Sequence, residues 1–475
     1  YAIVGANGSY TVTDGRNGSP DGKDTLTGVE KLQFTDHATL IVGGDSAYQT
    51  IQSAVDAASA GDTILIAGGT YNENVVLNKN GLTLENVAGA TVTVNGVNGY
   101  AGAITLAQGV NGVTIESSDS ADHFVLQAAA GETAALYLVG GNSNIAVSGV
   151  TAKGALPGSG GSNAVLTGGG LNHVTFQHDV FAGSAGQLVY VVGAASLGAG
   201  AADSDVNFLN NTFSGSAELL LGDEAGSGAI TGNTFSGAST TAVGVTEAGL
   251  TVSGNTFTSG VSSQFFAGDH SYDPAAIVAG NQYPASGAFY LSGTPGEDGV
   301  YASVAAALAS SQADDAILGA TSPIVLTVAL ATALEAAGVV VSGSSVIVQD
   351  TAVKLQGLTA SQIAGLAFIG VTGVSATDNS VTLTIAKTLA FENAGLSLQV
   401  PAGKSVIVSD TLARVNALTS AQIAGLGQAG ITIVNVTDNS LVLTAARAAA
   451  FQAAGVGFTV PSGRTVTVAD TAAAI

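Results

Sequence analysis

The feature that most constrains this chain is a short motif that returns at nearly fixed spacing. Asn210-Asn211-Thr212-Phe213, Gly232-Asn233-Thr234-Phe235 and Gly254-Asn255-Thr256-Phe257 repeat, with Gly280-Asn281-Gln282-Tyr283 as a looser copy. From Asn211 to Asn281 the steps are 22, 22 and 26 residues, the length of one solenoid rung. When rungs stack, a turn Asn can hydrogen-bond the Asn above it, and the aromatic ring behind it stacks inside. Asn211, Asn233, Asn255, Phe213, Phe235 and Phe257 are therefore expected to form a structural ladder, with Asn in the left-handed region of the turn. Apolar strand cores recur upstream at Leu82-Thr83-Leu84, Val113-Thr114-Ile115, Ile145-Ala146-Val147, Val174-Thr175-Phe176 and Val206-Asn207-Phe208.

Ahead of the repeats, Asp45 or Ser46 can cap a helix in which Tyr48, Ile51, Ala54 and Val55 share a face. Gly61-Asp62 ends it, and Thr63-Ile64-Leu65-Ile66 reads as a buried strand. The segment YQTIQSAVDAASAGDTILIAGGTYNENVVL (48–77) resembles the opening of right-handed parallel β-helix proteins of the pectin-lyase type. The resemblance implies an amphipathic helix that plugs the open end of the solenoid and hides apolar side chains and strand edges. The solenoid is assigned to residues 43–295.

Residues 1–42 alternate apolar positions with Asp-Gly turns. The stretch DTLTGVEKLQF (24–34) resembles the segment that follows calcium-binding repeats in RTX proteins exported by type I secretion. That resemblance implies Ca2+ at Asp14, Asp21 and Asp24, although ordinary Asp-Gly turns account for the same residues. The Gly-Gly-x-Gly-x-Asp ladder itself is missing.

Near residue 300 the helix-then-strand pattern returns. Gly296, Asp298, Tyr301, Val304, Ala307, Leu308, Asp315 and Ile317 match Gly43, Asp45, Tyr48, Ile51, Ala54, Val55, Asp62 and Ile64 at an offset of 253 residues. A third region, 296–475, is assigned there. Within it Asp350-Thr351, Asp410-Thr411 and Asp470-Thr471 mark a 60-residue period. Thr359 with Gln362, and Thr419 with Gln422, form capping boxes. Phe391 and Phe451 are matching core positions, and Gly395 and Gly455 end helices. The fold class expected is mainly β: a right-handed parallel β-helix followed by an α/β repeat array of 60-residue units. The array stops mid-repeat at Ile475, and Tyr1 is not a natural start, so a longer precursor is expected.

Composition narrows the partners. The formal charge is −23 although only 9% of residues are charged, because Lys and Arg are scarce. Between residues 43 and 300 the cations are Lys79 and Lys153, against twenty Asp and Glu. Such a surface disfavours nucleic acid and anionic lipid and favours hard divalent cations. The chain lacks Cys, which fits an exported protein that folds without oxidative help. There is no apolar run long enough to span a membrane, so no membrane insertion is expected.

Candidate chemistry is sparse. A lyase or epimerase acting on uronates needs a cation or amide to neutralise the carboxylate, and a base. His173, His178 and Asp179 lie close in sequence, but in a strand the two histidines point to opposite faces. His270, Tyr272 and Asp273 gather an imidazole, a phenol and an acid in one loop and are the weak catalytic candidates; a polar loop with a Pro turn accounts for them equally. Asp203 with Asp205, or Asp223 with Glu224, could supply the two carboxylates of a glycosidase, could hold calcium or could simply be solvated. The expectation is a non-enzymatic extracellular structural or adhesive protein of a bacterial surface layer, matrix or filament, calcium-stabilised and self-associating, with a surface polysaccharide as a further partner. The alternative is a polysaccharide lyase, epimerase or hydrolase acting on an acidic polysaccharide.

Overall fold

The computed structural model describes residues 2–6, 8–18, 21–97, 99, 102–119, 121–155, 162–183, 189–191, 202–215, 218–222, 227–236, 241–246, 249–258, 263–268, 272–284, 288–292, 298–309, 315–319, 323–342 and 345–471. The chain is mainly β with long parallel sheets, and it divides into two compact units. One comprises residues 1–286 and 297–302, the other residues 287–296 and 303–475.

The first unit is a parallel β-helix. Each rung contributes one strand to each of three sheets. The first rung is Thr63–Ile66, Gly69–Asn72 and Val75–Leu77; the second is Thr83–Asn86, Val92–Asn95 and Gly102–Leu106. Eight such rungs occur among the described residues, the last being Thr251–Ser253, Thr256–Phe257 and Ser263–Ala267. Successive rungs pair in parallel register, so Ile64, Leu84, Ile115, Val147, Phe176 and Phe208 fall on one another. All six are buried, because alternate residues of a strand face the same side and this side has no water. The aromatic column continues in the neighbouring sheet. Phe213, Phe235 and Phe257 are fully buried, with ring centroids 4.6 and 5.0 Å apart.

The asparagine ladder runs beside that column. The backbone N–H of Asn211 donates to Asn233 Oδ1 (2.8 Å), and that of Asn233 donates to Asn255 Oδ1 (2.9 Å). The left-handed residue is not the ladder Asn, as the sequence suggested, but the one before it: His178, Asn210, Gly232 and Gly254 have φ of 56, 55, 71 and 67°. That twist aims the following amide inward.

The first rung is closed by the helix Ile51–Ala57, which buries Ile51, Ala54 and Val55. Its cap is Thr50, whose side chain accepts from Ser53 N, rather than Asp45 or Ser46. Ser46 lies five residues ahead of Ile51, and its hydroxyl donates to Ile41 O (2.6 Å) and accepts Tyr48 N (3.1 Å). Both helix ends are held from the rung beneath. The Glu73 carboxylate accepts the N–H groups of Ile51 (2.8 Å) and Gln52 (2.9 Å). Lys79 Nζ donates to the carbonyls of Val55, Asp56 and Ala58 at 2.7, 2.8 and 2.7 Å. These are the orphan groups of a short helix, matched in charge to its dipole. At the far end the strand Asp298–Tyr301 pairs antiparallel with Ser263–Ala267 and covers that edge.

In the second unit, parallel strands Ile324–Leu326, Val346–Asp350, Val371–Ala376 and Ser397–Gln399 form one sheet, and Val381–Leu383, Val406–Asp410, Ile433–Val436 and Gly457–Thr459 another. Asp350, Asp410 and Asp470 each accept the first N–H of an earlier helix, at Val328 (3.1 Å), Ile385 (3.1 Å) and Ala445 (3.0 Å). Both capping boxes form, and Phe391 and Phe451 are buried.

Replacing Asn233 by Ala removes the acceptor of Asn211 N and the donor to Phe208 O inside a dry ladder. The expected loss is roughly 1–3 kcal/mol, the cost of stranding buried polar groups. Chemical denaturation of the full chain measures it, and a change within error would mean that water reaches the ladder.

Candidate functional site

Outward positions of the ten-stranded sheet form rows across the rungs, because the register that stacks the core also stacks the surface. Glu85 follows buried Leu84, Glu116 follows buried Ile115, and the two glutamates are register partners on adjacent strands. Adjacent strands lie about 4.8 Å apart, so two half-buried carboxyl groups share one patch. Thr39, Thr63, Thr83 and Thr114 form the parallel row beside them.

A hairpin builds a wall at the N-terminal end of this face. Lys31–Gln33 pairs antiparallel with Ala38–Val42, which in turn pairs in parallel with Thr63–Ile66. Its turn is tied by Phe34 N donating to His37 O (2.8 Å), and by Gln33 Nε2 donating to Phe34 O (3.0 Å) and His37 O (3.1 Å). The turn presents Asp36 and His37 as a pair, Nδ1 to Oδ1 at 2.7 Å, with the imidazole stacked on Phe34 at 4.9 Å. Between hairpin and sheet lies a cavity of about 380 Å³, lined by Phe34, Asp36, His37, Thr39, Thr63 and Glu85 among others.

Burial pushes the Glu85 carboxyl above the usual carboxylate range, and the Glu116 charge on the next rung pushes it further. The hydrogen bond from His37 holds Asp36 below that range. The cavity therefore joins a carboxyl shifted up (Glu85), a carboxyl shifted down (Asp36) and the imidazole of His37. A polar cavity with perturbed carboxyls is where acid–base chemistry is to be sought.

The residues singled out from sequence are elsewhere. Asp14 and Asp21 both spend their carboxylates on Arg16: Asp14 accepts Arg16 Nε at 2.9 Å, and Asp21 pairs with the same guanidinium. That contact holds the Asp14 carboxyl far below the usual range. Asp24 lies exposed on the strand Lys23–Thr27, so the three do not form a ligand set. Among the described residues no group of three or more His, Asp or Glu side chains is placed to hold a metal ion. Asp273 caps the helix Pro274–Gly280 by accepting Ala275 N (2.8 Å), and the Tyr272 hydroxyl accepts Leu250 N (3.2 Å). Both do structural work; His270 lies outside the described residues, as do Asp223 and Glu224. His173 is exposed and lies 3.4 Å from Asp205, whereas Asp179 and Asp203 are buried, so neither the His173–His178–Asp179 trio nor the Asp203–Asp205 pair faces a common space.

Glu85, Glu116, Asp36 and His37 were not legible as a site from sequence. A signal existed: Leu82-Thr83-Leu84 and Val113-Thr114-Ile115 are each followed by Glu at the same phase.

No family model and no curated protein matches this sequence. Among solved structures, a pectin methylesterase from Aspergillus niger is matched over 94% of this chain and 89% of that chain, at 13% identity and a TM-score of 0.22. The protein found is an enzyme and not a surface-layer, adhesive or filament protein. The expectation of a non-enzymatic structural role is corrected accordingly, although a likeness this distant transfers no activity. The expectation went astray because it weighed the missing cations as though they excluded catalysis. Missing cations bear on anionic substrates only, and leave carboxyl acid–base chemistry open.

Replacing Glu116 by Gln removes the like charge beside Glu85. The Glu85 carboxyl should then titrate at lower pH than in the wild type, while burial still holds it above the ordinary range. Carbon-13 NMR of labelled Glu carboxyls reads the shift; an unmoved titration would show that the two groups do not interact.

Proposed function

We propose that this chain is an extracellular carbohydrate-active protein whose β-helix face hydrolyses glycosidic bonds of a neutral glycan. The observation that carries this reading is the Glu85–Glu116 pair: Glu85 lines the cavity with its carboxyl pushed toward the protonated form, and Glu116 is its register partner on the next rung. Glycoside hydrolysis needs those two states: an acid to protonate the leaving oxygen and a carboxylate to stabilise or attack the sugar carbon. Retaining glycosidases hold their carboxyls about 5 Å apart, close to the spacing of adjacent strands. Glu85 is assigned as acid and Glu116 as carboxylate. The ring pair Phe34–His37 supplies an apolar face for a sugar ring. The lining carries the carboxyls of Asp36 and Glu85, so a uronate would be repelled and a neutral sugar favoured. Export is supported by the Cys-free, acidic composition and by the RTX-like stretch at 24–34. No helix among the described residues is long and apolar enough to cross a membrane.

The test is release of reducing ends from a panel of neutral and acidic glycans. Cleavage of a neutral glycan should fall about 10²-fold or more in Glu85→Gln and in Glu116→Gln, the usual contribution of a positioned acid or carboxylate. No cleavage of any glycan by folded wild-type protein, or variants that cleave as fast as the wild type, would sink the reading.

A further inference from the structure

The ladder on the turn between the ten-stranded and eight-stranded sheets contains an acid. Reading back from Asn255, backbone N–H groups donate in turn: Asn233 to Asn255 Oδ1, Asn211 to Asn233 Oδ1, Asp179 to Asn211 Oδ1 (2.8 Å), and Val150 to Asp179 Oδ1 (2.8 Å). Asp179 thus takes the place of an asparagine, and it is 1% exposed.

Each asparagine also uses its nitrogen. Nδ2 of Asn211 donates to Phe176 O (2.9 Å), that of Asn233 to Phe208 O (2.8 Å) and that of Asn255 to Ile230 O (2.8 Å). These carbonyls belong to register partners on successive strands, and the next partner back is Val147. Asp179 has no nitrogen to offer there. Its Oδ2 is buried and finds no hydrogen-bond partner. An ionised carboxylate in that place would set lone pair against lone pair in a dry interior, which is costly.

We propose that Asp179 is a proton-holding rung of the ladder: Oδ2 carries a hydrogen and donates it to the main-chain carbonyl of Val147, so that losing the proton to water opens the ladder there and makes the cohesion of the β-helix depend on pH. The carboxyl keeps the shape of the asparagine amide and, when protonated, its pattern of one acceptor and one donor.

The surroundings agree. Burial pushes the Asp179 carboxyl up to about 8, against the lowering effect of the N–H groups of Val150 and Gln177. The turn below (Ser148, Gly149, Val150) and the turn above (Leu209, Asn210, Asn211) carry no ionisable side chain. On its own turn His178 is exposed, and Lys153 stands at the other end of the strand Thr151–Lys153. Among the described residues no charged partner offsets the burial.

The sign follows. The folded chain holds this proton more tightly than the unfolded chain, where an Asp titrates near about 4. Stability from this group is therefore greatest at low pH, declines as pH rises from about 4 towards 8, and is flat above. Asp179→Asn supplies the donor permanently. Thermal and denaturant unfolding of the full chain should show the folding constant of this variant gaining on the wild type by up to about tenfold per pH unit in that window, and no further above it. Difference infrared spectroscopy, wild type minus Asp179→Asn, should show a protonated-carboxyl stretch at neutral pH. In the wild type alone that band should vanish as pH passes about 8. Parallel stability profiles for the two proteins, or a wild type without that band at neutral pH, would overturn the proposal.

Discussion

In-register stacking of parallel strands is the constraint on which the first unit depends. Each rung repeats the main-chain hydrogen bonds of the one before, so any side chain meets its counterpart about one strand spacing away. For amides and rings this is favourable. Asn211, Asn233 and Asn255 exchange hydrogen bonds along the column, and Phe213, Phe235 and Phe257 stack face to face. For acids the same geometry is costly. Glu85 meets Glu116, and Asp179 meets a place designed for an amide. The unusual carboxyls of this unit are thus products of the rule that builds its core.

How much of this was legible depended on loop length. Where rungs kept a constant length, as from Asn211 to Asn255, the period could be counted and the ladder followed from it. Glu85 and Glu116 are 31 residues apart, and Asp179 and Asn211 are 32 apart, because longer turns intervene. The register survives those insertions in space but not in a fixed-period count. Asp179 was further hidden because an acid broke the motif. The hairpin at 31–42 was obscure for another reason: its pairing with Thr63–Ile66 skips over the plug helix, and nothing in its own alternation names that partner.

The second unit shows the same division between marker and role. Asp350, Asp410 and Asp470 were conspicuous as repeats, but their part is long-range. Each carboxylate bonds both its own following Thr N–H and the first N–H of a helix some 22 to 25 residues earlier. A local rule could not supply this, since those helices already carry Thr caps at Thr327, Thr384 and Thr444. The acid satisfies an orphan donor that the cap leaves over.

The scarcity of cations looks different once they are placed. Lys79 spends its three donors on the carbonyl end of the plug helix, where a positive charge complements the helix dipole. Lys387 and Arg447, sixty residues apart, likewise donate to main-chain carbonyls, at Gln356 and at Leu418 and Val415. Arg16 is held between Asp14 and Asp21. These cations hold backbone ends and turns, so they cannot also neutralise a ligand. A ligand at the Glu85 face meets the carboxyls of Asp36 and Glu85, the His37 imidazole and the hydroxyls of Thr39 and Thr63, with no Lys or Arg in the lining to pair with an anion.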